Sequence, residues 1–119
     1  MSQFVQVITT VGCRREAEGI AAQLVDARLA ACVQILGPVS STFRWKEAIE
    51  TSQEWLCLIK TTRDCFPAVE RQIRALHSYD LPEIIAVPII AGSNDYLTWI
   101  DQMVAPQPAA VGTSPSQRK

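Results

Sequence analysis

The chain has 119 residues, 48% of them hydrophobic, with 11 basic and 12 acidic side chains and a formal net charge of −1. That length builds one domain with its own core, and the interspersed charges offer no basic patch, which excludes nucleic acid as the expected partner. No apolar run reaches the roughly 18 to 20 residues of a membrane span, and no charged segment followed by an apolar core opens the chain, so no membrane partner and no signal peptide are expected and the localisation reads as cytoplasmic.

Phe4 to Val11 sets Val5, Val7, Thr9 and Val11 on alternate positions, the period of a strand with one buried face. Gly12 ends it. Ala17, Ile20, Ala21, Leu24 and Val25 then recur at helical spacing, which predicts an amphipathic helix over Arg14 to Arg28. Glu16 and Glu18 suit its positive end and Arg28 its negative end. Ala30 to Leu36 reads as a second strand, Gly37-Pro38 as punctuation, and Val39 to Ile49 as a strand resuming with Phe43 and Trp45. A turn near Lys46-Glu47-Ala48 returns the chain into a strand over Glu54 to Thr61, so the middle is a long hairpin. Trp45 and Trp55 are more than so small a core takes, which sends one of them to a subunit contact.

Thr62 or Asp64 can cap the next helix, Pro67 fits its first turn, and Phe66, Val69, Ile73 and Leu76 form its buried stripe. A polar joint follows, Leu76 to Ile85, holding the chain's one histidine, His77, with Tyr79, Asp80 and Glu83 around Pro82. Ile84 to Ile90 is the fourth strand, and Pro88 inside it points to a strand end or an edge. Ser93 and Asp95 cap a last helix with Leu97, Ile100 and Val104 on one face. From Ala105 onward Pro, Ala, Ser and Gln dominate without a period, so residues 1–104 are read as the domain and 105–119 as a disordered tail.

The resulting order, strand-helix-strand-strand-helix-strand with a final helix, is α+β and ferredoxin-like: an antiparallel sheet with two helices on one face. The second and third strands are apolar on both parities, so the uncovered face predicts subunits that cover one another's sheets. Cys13, Cys32, Cys57 and Cys65 form no C-x-x-C pair, which lacks the close ligand spacing of structural zinc. Cys32 and Cys57 are expected in the core.

Five segments, ARLAACVQI, GPVSSTFRWKEAIE, LIKTT, LHSYDLPEIIAVPI and SNDYLTWI, resemble in order the blocks of the CutA family, the divalent-ion tolerance proteins, over about Val5 to Ile100. The resemblance implies a homotrimer with interlocking sheets and hairpins, an architecture like that of PII signalling proteins, and a link to copper and other divalent cations. Where the family has a glycine in the hairpin turn, this chain has Glu47, which disfavours a positive φ there. The copper-ligand positions of the family, a first-strand cysteine and two adjacent histidines, fall here on Thr9, Leu76 and His77.

His77 with Tyr79, Asp80 and Glu83 reads either as a ligand set for a divalent ion or as hydrogen bonding within the turn and to a neighbouring subunit. Cys13, at the start of the first helix, is the second candidate ligand; thiolate with imidazole favours copper, written Cu2+. Another divalent cation is the alternative. Arg44, Trp45, Lys46, Glu50 and Lys60 are candidates for inter-subunit pairs or a ligand cleft. Among the motifs of catalysis, no Gly-rich phosphate loop, nucleophile motif or H-E-x-x-H is present. The expected function is therefore non-enzymatic: a trimeric CutA-like protein of divalent cation tolerance. The alternatives are a PII-like signalling module sensing a small anionic ligand at subunit clefts, or a structural trimeric scaffold.

Overall fold

The structure, a computed structural model, describes residues 3–107. Its elements are β1 (Phe4–Val11), α1 (Arg14–Asp26), β2 (Cys32–Trp45), β3 (Ala48–Thr62), a 3-10 turn (Arg63–Cys65), α2 (Phe66–Leu76), β4 (Ile84–Pro88) and α3 (Asn94–Met103). The four strands form one antiparallel sheet in the order β2-β3-β1-β4. This is the split β-α-β arrangement expected from the element order. Pro88 closes β4, an edge strand, where its missing N–H costs no ladder bond. The disorder expected for the tail lies, from residue 108 on, outside the described residues.

Alternation along β1 decides which face is covered. Val5, Val7, Thr9 and Val11 are buried and stand opposite Thr61, Ile59, Cys57 and Trp55 of β3. Onto that face α1 brings Ala17, Ile20 and Leu24 and α2 brings Val69 and Ile73, all fully buried. Burying each large aliphatic side chain there contributes about 1.5–3 kcal/mol. Cys57 joins this core, and its burial pushes the thiol pKa up to about 11, with the Glu16 carboxylate adding to the shift. Cys32 departs from the expectation: it is half-buried on the opposite face, in the row with Lys60 and Gln6.

Several boundaries differ from the sequence reading; β2 begins at Cys32 where Ala30 was expected, and β4 ends at Pro88 where Ile90 was. α1 stops at Asp26 because Arg28 turns left-handed, with φ 60°. The Arg28 N–H bonds the Val25 carbonyl and the Leu29 N–H bonds the Leu24 carbonyl, the paired bonds of a Schellman ending. A glycine usually holds that position; here the guanidinium compensates by donating to the carbonyls of Gln102 and Met103, at 3.2 and 3.3 Å. Those carbonyls lie in the last turn of α3, where a cation is favourable.

The hairpin is longer than its hydrophobic pattern. β2 runs through Gly37-Pro38 as a bulge: Leu36 pairs with Leu56 and Val39 with Glu54, leaving two residues opposite Trp55. Gly37 is required there, since a Cβ would lie 2.6 Å from Trp55 Cδ1. Beyond the bulge β2 and β3 pair only with each other, from Val39↔Glu54 to Trp45↔Ala48, as a two-stranded arm. Both faces of the arm meet solvent, so its residues show no burial period, and β3 begins at Ala48 where the sequence suggested Glu54. The two-residue loop places its positive φ on Lys46, at 57°, and not on Glu47. That answers the missing turn glycine: the strained position sits one residue earlier.

The other face of the sheet is apolar and mostly open. Leu36, Ile85 and Val87 are 57%, 49% and 43% exposed, and Ile8, Leu56 and Leu58 are half-buried beside them. α3 packs against β3 at one end of this face, with Tyr96 beside Cys32 and Ile100 fully buried outside the core under α1 and α2. Ser93 caps that helix, its Oγ accepting from the Tyr96 N–H.

Candidate functional site

The joint between α2 and β4 is fixed by its own polar groups. α2 ends at Leu76 as His77 swings to an extended backbone, its N–H still bonded to the Ile73 carbonyl. The His77 side chain is fully buried. Nε2 lies 2.8 Å from the Thr10 carbonyl and must donate to it, so Nδ1 is the acceptor for the Tyr79 N–H at 3.1 Å. Both ring nitrogens are thus engaged by backbone. Glu16 of α1 reaches across and accepts from the Ser78 N–H and hydroxyl at 2.9 and 3.0 Å.

Those anchors aim Tyr79. Its ring lies 4.8 Å from the imidazole, and its hydroxyl donates to Glu54 Oε2 of β3 at 2.9 Å. Burial first, then the bond to Glu54 and the surrounding negative charge, push the phenol pKa up to about 12. It is a neutral donor at every physiological pH. Gly12 leaves room for it, since a Cβ there would stand 3.3 Å from the hydroxyl.

Between the joint and the hairpin arm runs a groove of about 710 Å³, within the usual range of small-molecule sites. It gathers Arg44, Trp45, Glu50, Tyr79, Asp80 and Glu83, six of the residues singled out in the sequence, from segments some thirty positions apart. Lys46 stays outside at the hairpin tip, and Lys60 lies elsewhere on the open face, donating to Gln34 Oε1 at 2.7 Å. Without them the groove holds four carboxylates, Glu50, Glu54, Asp80 and Glu83, against one guanidinium. Its charge is therefore opposite to that of an anion cleft.

Two contributors, Glu54 and Glu16, escaped the sequence reading. Glu54 was taken only as a strand start, yet it is 7% exposed and sits at the base of the groove. Phe43 shares its wall. Glu16 was assigned to the helix dipole alone, while its carboxylate is what holds Ser78. The signal available for Glu54 was its parity with Leu56 and Leu58, which places it on the open face.

A metal centre is a different matter. Cys13 is exposed at the N-cap of α1, near enough to Tyr79 for its charge to act on the phenol. Thr9 is buried in the core, its hydroxyl without a partner among the described residues. Among the described residues no three His, Cys, Asp or Glu side chains converge to hold a metal ion. The described residues of a single chain do not fit a copper centre.

A model of the family described as CutA1 divalent ion tolerance protein matches residues 5–103. The divalent-cation tolerance protein CutA of Thermus thermophilus is 44% identical over 94 residues, 79% of this chain and 91% of that protein. Its namesake in Archaeoglobus fulgidus is 39% identical over 104 residues, covering 87% and 99%. The crystal structure of CutA from Xylella fastidiosa superposes with a TM-score of 0.85 at 42% identity, over 87% of this chain and all of that one. Relatives carry the words chloroplastic, in Arabidopsis thaliana, and periplasmic, in the Archaeoglobus fulgidus structure; no described helix here is long and apolar enough to cross a membrane. With the fold and the matched span in agreement, the chain belongs to the CutA1 divalent ion tolerance family.

Proposed function

We propose that this chain works as a non-catalytic homotrimer, of PII-like architecture, in tolerance of divalent cations, with copper as the cation it meets. The carrying observation is the uncovered apolar sheet face together with the bare hairpin arm. Leu36, Ile49, Ile85 and Val87 are all 43–67% exposed in the single chain, and a two-stranded arm is marginal on its own. A second and third copy would bury both. The four unpaired cysteines suit a reducing cytoplasm.

Copper binding is assigned to the assembled protein, because the ligands within one chain do not converge. Cys13 is exposed and can offer a thiolate, whereas His77 can offer a ring nitrogen only after giving up Thr10 or Tyr79. Sedimentation of the reduced protein at micromolar concentration should give about three times the 13.1 kDa chain mass, and Leu36→Glu should reduce it to the monomer. Calorimetry should then show saturable Cu2+ binding by the wild type that weakens at least tenfold in the dissociated variant. A monomeric wild-type chain sinks the assembly; no saturable binding by an intact trimer sinks the copper assignment.

A small-ligand module of PII-like kind is the second reading, favoured by the groove between arm and joint. The four carboxylates there point away from the anionic ligand that the hairpin cations alone suggested.

A further inference from the structure

We propose that His77, which stands at a copper-ligand position of the family, is in this chain a positioning residue that seats Tyr79 on Glu54, and that copper does not enter through its imidazole. This deepens the copper reading by removing one of its ligands, and the role at Tyr79 is independent of it.

Three successive residues fasten the joint to three different elements. His77 Nε2 donates to the Thr10 carbonyl of β1, Ser78 donates twice to Glu16 of α1, and the Tyr79 hydroxyl donates to Glu54 of β3. The link between the first and the last is His77 Nδ1, which accepts the Tyr79 N–H at 3.1 Å. A side-chain acceptor two residues before the N–H it receives is the pattern of an Asx turn, made here by an imidazole. The turn brings the phenol ring to 4.8 Å from the imidazole. It also carries the hydroxyl to the point where the arm leaves the sheet, since Glu54 pairs with Val39 just past the bulge.

A neutral imidazole has one ring nitrogen with a lone pair to give a metal. In His77 that nitrogen is Nδ1, and it already meets the Tyr79 N–H. The bond from Nε2–H to a carbonyl does not decide the matter, because a ligating histidine makes one too; the occupied Nδ1 does. A metal there would strip the Tyr79 N–H of its acceptor, and the side chain has no exposed surface at which an ion could arrive. The Glu16 carboxylate, 3.7 Å from Nδ1, has both oxygens engaged by Ser78. The other two family positions supply no partner. Leu76 has no donor atom, and the neutral hydroxyl of Thr9 is a poor ligand for copper beside thiolate and imidazole.

The test uses the full-length, reduced protein in its native assembly. Nitrogen NMR spectra of the imidazole should show the proton on Nε2 alone; a proton on Nδ1 overturns the proposal. His77→Asn keeps an acceptor for the Tyr79 N–H through an ordinary Asx turn, His77→Ala keeps none, and neither has an imidazole. We expect hydrogen exchange of the Tyr79 amide to quicken at least tenfold in His77→Ala and to stay at the wild-type rate in His77→Asn. Equal exchange in all three proteins overturns the positioning role. His77→Gln, whose amide reaches Thr10 but leaves the Tyr79 N–H without an acceptor, replaces His77→Ala should that variant fail to fold by circular dichroism. Calorimetry with Cu2+ then compares the wild type with His77→Asn, and affinities less than tenfold apart support the proposal. A loss of at least tenfold, about 1.4 kcal/mol, with the Tyr79 amide still protected makes the imidazole a ligand and overturns it. No saturable Cu2+ binding by either protein, with the exchange pattern as expected, supports the positioning role and sinks only the copper assignment.

Discussion

The two faces of one sheet meet opposite fates. On one, Val7, Val11, Cys57 and Ile59 are fully buried beneath α1 and α2. On the other, Ile8, Leu56 and Leu58 are of similar hydrophobicity but lie half-buried beside Leu36, Ile85 and Val87, which are largely exposed. The β2–β3 hairpin repeats the contrast along its length: its base belongs to a four-stranded sheet, while its arm beyond Gly37 has only its own ladder. Composition does not separate these regions; cover does. Helices close one face, while the other keeps an equally apolar surface open among the described residues.

The sharpest way to break that contrast is to cut one side chain from each face. Ile59→Ala removes three carbons from a site with no exposure, and urea unfolding should show a loss of about 2–5 kcal/mol. Leu36→Ala, measured under dilute conditions where the chain sediments as a monomer, should cost within about 0.5 kcal/mol, as surface changes do. Equal costs in the monomer would mean that the open face is already covered, and the contrast between the faces would be lost.

A smaller effect is expected at the border between base and arm. Gly37→Ala puts a Cβ within 2.6 Å of Trp55 Cδ1 and 3.1 Å of the Glu54 carbonyl. The indole is pinned by the core and the carbonyl belongs to the ladder, so neither neighbour yields cheaply. Overpacking of this kind costs about 1–3 kcal/mol. The change in Trp55 fluorescence, compared in a background of Trp45→Phe and Trp99→Phe, should accompany the loss; an unaltered midpoint and spectrum would show that the bulge is loose.

How much of this was legible in the sequence follows the same line. β1 was read to the residue because its alternation faces a real core and Gly12 ends it. The start of α2 and the edge position of β4 were announced by Pro67 and Pro88. The arm was not, because two solvated faces erase the period-2 signal that marks strands. Nor was the end of α1, since Arg28 is held left-handed by carbonyls of α3, some 75 residues away in sequence. The groove was legible as a set of residue types but not as a place: Lys46 sits in the hairpin loop and Lys60 at the far end of the open face beside Gln34, whereas Glu54 stands where the arm leaves the sheet, at the groove's base. His77 looked like a ligand because nothing in a sequence shows that backbone groups of Thr10 and Tyr79 occupy both nitrogens.

The mildest prediction compares two threonines on the covered face. Thr61 and Thr9 are both fully buried on helix-facing positions of adjacent strands. Thr61 donates its hydroxyl to the Leu29 carbonyl at 2.7 Å, whereas the Thr9 hydroxyl has no partner among the described residues. Valine has nearly the same shape as threonine, so the substitution exchanges only a hydroxyl for a methyl group. Thr61→Val gives up a made hydrogen bond and should cost about 1 kcal/mol in urea unfolding. Thr9→Val removes a polar atom whose desolvation is already uncompensated, and should be neutral or stabilising by up to about 1 kcal/mol. Opposite signs would establish that the unpaired hydroxyl of Thr9 is a cost the core carries. A loss at Thr9 as large as that at Thr61 would reveal a partner for its hydroxyl, such as a buried water, and would make the covered face more polar than its side chains alone suggest.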